Sequence, residues 1–506
     1  MGYDPSIFQK NYLYSLFTII ILIGKNKKAN INKKYTNMLN KLRAGFSDTY
    51  LTQLFVAYFL VKGFSGVLLE LILLPYFQLV HHVDLITFQK ISSVVLSAPW
   101  CLKPIVAILS DLCPIYQYRK QPYIIIASSV AIVLAVLLAT VEISLQTSIL
   151  CFILMALCFV TIGLLHDASY STKMTKVIVY GNLIVNYVWL LVMVGGLFAS
   201  VLVGVMADLN YTSVIIPVVI LPFALLIYTT SKNMLEERVY TLMKPPSENS
   251  IVVAIVLSTT AVISSIIIFY TSETVYLSFI LSMCIINIGV MYMYLKQHLL
   301  YCVIFMMLSE IARIDFTGAT TYFYTDSCIG TPNLDYAIFI TYSQTLTCIF
   351  GMVGIFIFHC ISEWRIQTMF IFINSIAIVA SSVEIIQTAR WNLIIGIPDV
   401  WFYILGESIT SPIVRFMMYI GMFILMSRLV TTGSEATELS IFTASQMLGR
   451  MISTAIGNYI IATYNITNCN FELLPYMLFM GKMITPLVIV PLATIYLPSG
   501  YLHNLR

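Results

Sequence analysis

Charge is what this sequence has least of. Asp, Glu, Lys and Arg make up 10% of its 506 residues, while 59% are apolar or aromatic; soluble domains carry about 25% charge. A soluble enzyme is excluded, because uncharged stretches repeatedly exceed the roughly 20 apolar residues with which one helix crosses a bilayer core. Also lacking are the alternating segments of about 10 residues that mark an outer-membrane barrel: Pro122 to Val141, PYIIIASSVAIVLAVLLATV, is apolar throughout. There is no GxxxxGK[ST], HExxH, GxSxG or CxxC, and no Cys/His cluster at metal spacing. An ATP-driven pump and a metal- or serine-dependent membrane enzyme therefore lose support, and no cofactor is expected. The net charge of +4 is spread over short loops and an N-terminal tail, with no surface able to neutralise phosphates, so nucleic acid is not a partner. The ten cysteines are dispersed, and most are expected to be small hydrophobes inside helices.

What is present is a series of helix-length apolar runs. After a basic tail (residues 1–49), whose stretch Tyr12 to Gly24 is too short to span, runs fall near 51–77, 85–110, 122–141, 146–166, 181–207 and 212–230. A polar linker follows at 231–250. Two further runs, 251–270 and 274–295, precede six more near 299–325, 335–360, 365–387, 400–427, 437–464 and 475–497. The expectation is an all-α polytopic membrane protein with about 14 transmembrane helices, arranged as a six-helix half (50–230), a helix pair inserted at the junction (251–298) and a second six-helix half (299–497). Residues 498–506 form a short cytoplasmic end. With alternate loops assigned inward, nineteen Lys and Arg lie on the side of the termini and linker, against Arg390 alone opposite; that side is cytoplasmic. The sequons at Asn210 and Asn465 fall on the outward side and are candidate glycosylation sites. Two similar halves around a midplane site are the arrangement of a transporter; a scramblase or a non-transporting receptor is the alternative on topology.

The most specific segment is SAPWCLKPIVAILSDLCPIYQYRKQPY, residues 97–123. It puts Lys103 inside the second span, Asp111 at that span's cytoplasmic end, and Arg119 and Lys120 in the turn beyond. Such an acid and its facing cations form a charge clasp that one closed state of a rocking bundle makes and the other breaks, a gate more than a binding site. The spacing resembles the loop signature of the major facilitator superfamily. The fuller string is similar to that of the folate-biopterin transporter family within it, through Pro99, Trp100, Lys103, Pro104, Ser110, Asp111, Pro114, Tyr118, Arg119, Lys120, Pro122 and Tyr123. Ala107 and Gln117 stand where the family has glycines. The likeness extends to YFLVKGFSGVLLELILLPYF (58–77) and, more weakly, to Asp167, Trp189 with Gly195-Gly196, FTGATTYFYTD (316–326) and GSEATELSIFTASQ (433–446). Thr172 replaces an acid often found five residues after the fourth-span Asp. The resemblance implies a major facilitator fold and uptake of folates or pterins such as biopterin, with protons, by alternating access. It leaves open S-adenosylmethionine or a nucleoside as substrate. The partners expected are the small-molecule substrate, protons and the bilayer, for a monomer in the plasma membrane rather than an organelle membrane.

Ionisable groups inside spans cost at least about 2.5 to 3.5 kcal/mol each on insertion scales, so each demands a reason. Those away from loop ends are Lys62, Glu70, Lys103, Asp167, Glu310, Arg313, Asp315, Glu407, Arg415, Arg450 and Lys482. For substrate, the candidates are Arg313 and Arg415, whose planar forks suit carboxylates, Lys103, and Trp189 as a stacking face. Local pairing of Arg313 with Glu310, snorkelling of Arg415 and attachment of Lys103 to the clasp are the plainer alternatives. Asp167, Glu70 and Glu407 are the candidate proton carriers; for Asp167 the alternative is a helix-end cap. His81 and His82 fall in an outward loop and are expected to be solvated.

Overall fold

The computed structural model describes residues 42–43, 45–141, 143–176, 181–207, 216–233, 236, 248–328, 330–335, 337–361, 364–429, 435–467, 469–497 and 500. Most of the basic tail, Asn210, most of the linker and the final residues lie outside this set. Among the described residues the chain is almost wholly helical, without a named strand, and nine helices are long and apolar enough to cross a membrane. In chain order the helices are α1 (Asp48–Val80), α2 (Leu85–Leu112) and α3 (Gln121–Thr140), α4 (Leu145–Lys176), α5 (Gly181–Ala207) and α6 (Ile220–Asn233), then α7 (Glu248–Tyr270) and α8 (Glu273–Tyr294). There follow α9 (Gln297–Ile311), α10 (Thr317–Thr325), α11 (Ser343–Ile361), α12 (Ile366–Thr388), α13 (Ser411–Leu429) and α14 (Glu435–Thr463), and α15 (Leu474–Thr494).

Local signals set several boundaries. Ser47 and Asp84 cap α1 and α2, their side chains accepting from the amides of Tyr50 and Thr87 at 3.4 Å, and Pro122 in the first turn of α3 gives up only an amide that has no helical partner there. Apolar residues such as Val133, Ile285, Phe356 and Val379 stay exposed, as faces meeting hydrocarbon would.

The run expected as one span over 299–325 is broken: α9 stops at Ile311 and α10 starts at Thr317. Asp315 explains the restart, its carboxylate accepting from the Thr317 amide (2.9 Å) and hydroxyl (2.5 Å). Neighbouring helices satisfy the backbone groups that the break frees, as a low-dielectric interior requires. Thr485 donates to the Ala312 carbonyl (2.6 Å), Ser453 to that of Arg313 (2.6 Å), and Ile314 N–H to that of Gly481 (3.1 Å). From α2, Gln89 donates to the Asp315 carbonyl (2.8 Å) and accepts from Gly318 N–H (2.9 Å).

α1 packs on α4, α5 and α6, and α3 on α4 and α6, while α13 packs on both α11 and α12, and α15 lies on α9 and α12. The two groups meet along α2 against α14 and α5 against α11. α7 and α8 lie over the α2–α14 seam, attached by Lys90–Glu273 (2.5 Å) and by Ser258 donating to the Cys101 carbonyl (2.9 Å). At one end of the bundle Gln78 reaches Asp326 (3.1 Å), and Tyr322 hydrogen-bonds the Val83 carbonyl.

Not all cysteines are isolated hydrophobes. Cys328 and Cys469 form a disulfide between the α10–α11 and α14–α15 loops. Nothing in their spacing of 141 residues pairs them; only the fold does.

Candidate functional site

A cavity of about 370 Å³ opens among α1, α2, α4, α5 and α13. Its walls are mostly apolar, with Lys62, Glu70, Lys103, Asp167, Trp189 and Arg415 as its polar and aromatic landmarks. It extends from mid-helix toward the α1–α2 and α3–α4 loops, past Leu73 and Phe152. In the other direction it narrows to about 30 Å³ between Tyr170 and Val188 on one side and Tyr419, Met422, Phe423 and Met426 on the other. That is room for little more than one or two water molecules.

Lys62 sits in a π-helical stretch, Val56–Gly66, which turns both it and Tyr58 toward α4. The Tyr58 hydroxyl donates to Asp167 Oδ1 (2.5 Å), and Lys62 Nζ lies 4.0 Å from Asp167 Oδ2. Lys62 Nζ also stands 5.2 Å from the Tyr58 ring centroid and 5.4 Å from that of Trp189, and Trp189 meets Tyr419 of α13 edge-on at 5.3 Å. With side-chain exposures of 27% for Lys62 and 14% for Asp167, the pair is a wall component that a ligand can reach. A cation, a carboxylate and an indole face thus converge on one spot, and Tyr419 brings the opposite half of the bundle to it. α1 comes this close to α5 only because glycines face each other. A Cβ on Gly195 would lie 2.3 Å from the Phe59 carbonyl, and one on Gly63 2.7 Å from that of Val192.

The candidate site residues divide into two sets. Lys103, Trp189, Arg415, Asp167 and Glu70 all line the cavity. Lys103 is buried with Nζ 5.0 Å from the Trp100 ring centroid, at the cavity rather than at the clasp. Asp167 lies inside α4, which runs about ten residues past the expected end, so it is no helix-end cap. Arg415 is exposed to the cavity, with Nη2 3.5 Å from Ser411 Oγ. Arg313 is not among the lining residues; it lies in the α9–α10 break with Nη2 3.4 Å from Asn374 Oδ1, while Glu310 accepts from Gln446 (2.6 Å). Glu407 also stands off the cavity, in the π-helical stretch Ile404–Thr410 before α13.

At the α2–α3 turn, Arg119 and Lys120 act electrostatically on Asp111. Glu236, from the linker, adds a contact that no spacing announces: its carboxylate accepts from the amides of Arg119 (3.0 Å), Lys120 (3.0 Å) and Gln121 (2.9 Å), capping α3. Asn465 is exposed at the α14–α15 turn. His81 is half-buried rather than solvated, stacked on Phe77 and 3.0 Å from Ser148 Oγ; burial pushes its imidazole below the usual value, while His82 is exposed. No group of three or more His, Cys, Asp and Glu able to hold a metal occurs among the described residues.

The model of the BT1 family matches residues 62–502. The chain belongs to the BT1 family. Among curated relatives, "Probable folate-biopterin transporter 6" of Arabidopsis thaliana is 25% identical over 169 residues, 33% of each chain. "Folate transporter 1" of Plasmodium falciparum (isolate 3D7) is 26% identical over 188 residues, 37% of this chain and 35% of that one. These matches span about a third of the relatives' length. Among solved structures, an auto-inhibited peptide transporter of the POT family aligns with TM-score 0.64 and 13% identity over 88% of this chain and 96% of the other. A mutant form of the nucleoside transporter NupG aligns with TM-score 0.59 and 12% identity over 89% and 100%. At such identities the likeness carries the fold alone. This BT1-family member therefore has a major facilitator fold, as these solved transporters do, and is a multi-pass membrane protein.

Proposed function

We propose that the protein is a secondary transporter of folate or pterin compounds that works by alternating access, with the α1–α2–α4–α5–α13 cavity as its substrate site. The observation that carries this is the convergence of Lys62, Asp167 and Trp189 on one wall with Arg415 and Tyr419 from the opposite half. A pterin needs a flat partner and a hydrogen-bonding acid, which Trp189 and Asp167 supply, and a folate tail needs cations for its carboxylates, which Lys62, Lys103 and Arg415 supply. The names of the two curated relatives point to the same substrate class. A site whose walls belong to both halves is the kind that rocking exposes to each side in turn, with fourteen crossings placing the termini and linker in the cytoplasm. The clasp of Asp111, Arg119 and Lys120, steadied by Glu236, is the gate on that side.

Proton coupling would answer a charge problem. Away from the helix ends, the cations Lys62, Lys103, Arg313, Arg415, Arg450 and Lys482 are accompanied by the carboxylates Glu70, Asp167, Glu310, Asp315, Glu384 and Glu407, with Lys90 paired to Glu273 and Glu438 buried near the start of α14. An anionic substrate entering an interior already this rich in carboxylates adds negative charge in a low dielectric, which protons carried inward with it offset.

The test is uptake of labelled folate, biopterin, S-adenosylmethionine and a nucleoside into proteoliposomes containing the full chain. Folate or biopterin is expected to accumulate, and Arg415→Lys to weaken folate about tenfold, roughly 1.4 kcal/mol, while sparing biopterin, which has no carboxylate. Uptake of S-adenosylmethionine alone would transfer the substrate role to Asp167 and Glu70, and no uptake of any would favour a receptor.

A further inference from the structure

Among the described residues, a second ionic cluster, away from the cavity, lies where α12 and α15 meet the α9–α10 break and the stretch leading into α13. Lys482 Nζ donates to both oxygens of Glu384, at 2.8 and 2.6 Å, with the Glu384 side chain only 7% exposed. Neither residue lines the cavity. Lys482 sits in the π-helical stretch Met480–Ile484 and Glu407 in Ile404–Thr410; such bulges are frequent at functional sites. Glu407 acts on both members of the pair, and Asp315 acts on them from the α9–α10 break, where Arg450 balances it. From the remaining elements packed on α12, Asp399 is held by Arg390 (2.9 Å) and Asn392 (2.8 Å), Arg415 faces the cavity, and Tyr324 and Tyr403 bring hydroxyl groups. The inner set is therefore three carboxylates and two cations, one negative charge in excess.

On the transport reading above, we propose that Glu384, held by Lys482 and opposed by Glu407, is the proton-binding site that couples transport to the proton gradient. The cavity carboxyls stand where the substrate itself would bind, Asp167 beside Tyr58 and Lys62 and Glu70 exposed, whereas Glu384 lies off the cavity and stays open to a proton with substrate in place. A proton arriving from the α12–α13 end, one helical turn from Glu384 at Thr388, adds to the Glu384 carboxylate and makes it a neutral acid. The Lys482 ammonium then loses its hydrogen-bonded carboxylate and is drawn toward Glu407, the other carboxylates acting on it being Glu407 and an Asp315 balanced by Arg450, so the ionic tie shifts from α12–α15 to the stretch leading into α13. That stretch continues into Arg415, eight residues and about 12 Å further along the helix at 1.5 Å per residue. A proton arriving at Glu384 thereby moves the helix that presents a cation to the substrate.

Two measurements on the full-length protein test this, one of which needs no substrate. Infrared titration of the detergent-solubilised protein is expected to show a protonated-carboxyl C=O band growing in on acidification, and Glu384→Gln to lack that one band. In proteoliposomes, Glu384→Gln is expected to lose accumulation driven by a pH gradient, down to the level seen without one, while folate counterflow at equal pH stays within a few-fold of wild type. If Glu384→Gln does not fold, the paired neutral variant Glu384→Gln/Lys482→Gln serves, since it leaves no cation unpaired, and the same two results are expected of it. A band unchanged without Glu384, or lost instead in Glu407→Gln, would overturn the assignment, as would gradient-driven accumulation persisting in the variant. So would loss of counterflow in a folded variant, which would make the pair structural. A wild-type protein that moves no folate would sink the transport reading by itself, and the infrared band would still decide the proton site.

Discussion

At the scale of single residues, the decisive feature is that Lys62 and Asp167 are both partly open to the cavity and separated by 4.0 Å. An ion pair loose at that distance can be opened by a ligand that offers the lysine a better anion. The two substitutions should then differ by substrate. Lys62→Gln leaves Asp167 unbalanced against an anionic substrate and should weaken folate by about tenfold or more, roughly 1.4 kcal/mol or above, and biopterin less. Asp167→Asn removes the acid that the pterin ring needs and should weaken biopterin, while for folate the freed lysine offsets part of that loss. Equilibrium binding of labelled folate and biopterin to the purified variants checks this, and equal losses of both substrates in both variants would reduce the pair to a structural bridge.

Residue types were legible in the sequence, and partners were not. Lys62 is conspicuous as a cation in an apolar run, yet nothing in one dimension says that it meets Asp167 over a hundred positions away. Glu384 escaped because it stands three residues from the end of the 365–387 run and reads as a loop-end group, although α12 continues to Thr388 and buries it.

At the scale of helices, the apolar runs gave most boundaries to within a few residues, because length and hydropathy alone decide where a helix in lipid begins and ends. The α9–α10 break was not legible, since Asp315 recaps the chain only with Thr485, Ser453, Gly481 and Gln89 there to receive the freed backbone groups. Close helix approach, by contrast, has a readable cause in Gly195. Gly195→Val should force α1 from α5, since the nearest atoms are backbone, and should cost about 1 to 3 kcal/mol. Thermal melting in detergent checks this, with Gly289→Ala, where a Cβ meets nothing within 4 Å, expected to change little. Equal melting of both variants would mean that α1 and α5 are free to separate.

At the scale of the whole molecule, the disulfide and the basic residues make independent statements about sidedness. Cys328–Cys469 lies in two loops that the positive-inside tally assigns outward, and disulfides persist on the oxidising face of a membrane. An impermeant maleimide should accordingly label Cys328 and Cys469 in intact cells only after reduction, and should not reach a cysteine introduced at position 240. Labelling at position 240 without permeabilisation would invert the topology.

If substrate occupies the cavity between the halves, it must shield the cavity wall from alkylation. In a background lacking the free cysteines, Ala156→Cys places a thiol on a partly exposed part of the cavity wall, and Tyr464→Cys places one on the exposed α14–α15 turn and off it. Saturating folate or biopterin should slow alkylation at position 156 by about tenfold, as expected when roughly nine sites in ten are occupied, and leave position 464 unchanged. Undiminished labelling at position 156 under saturating ligand would place the substrate elsewhere.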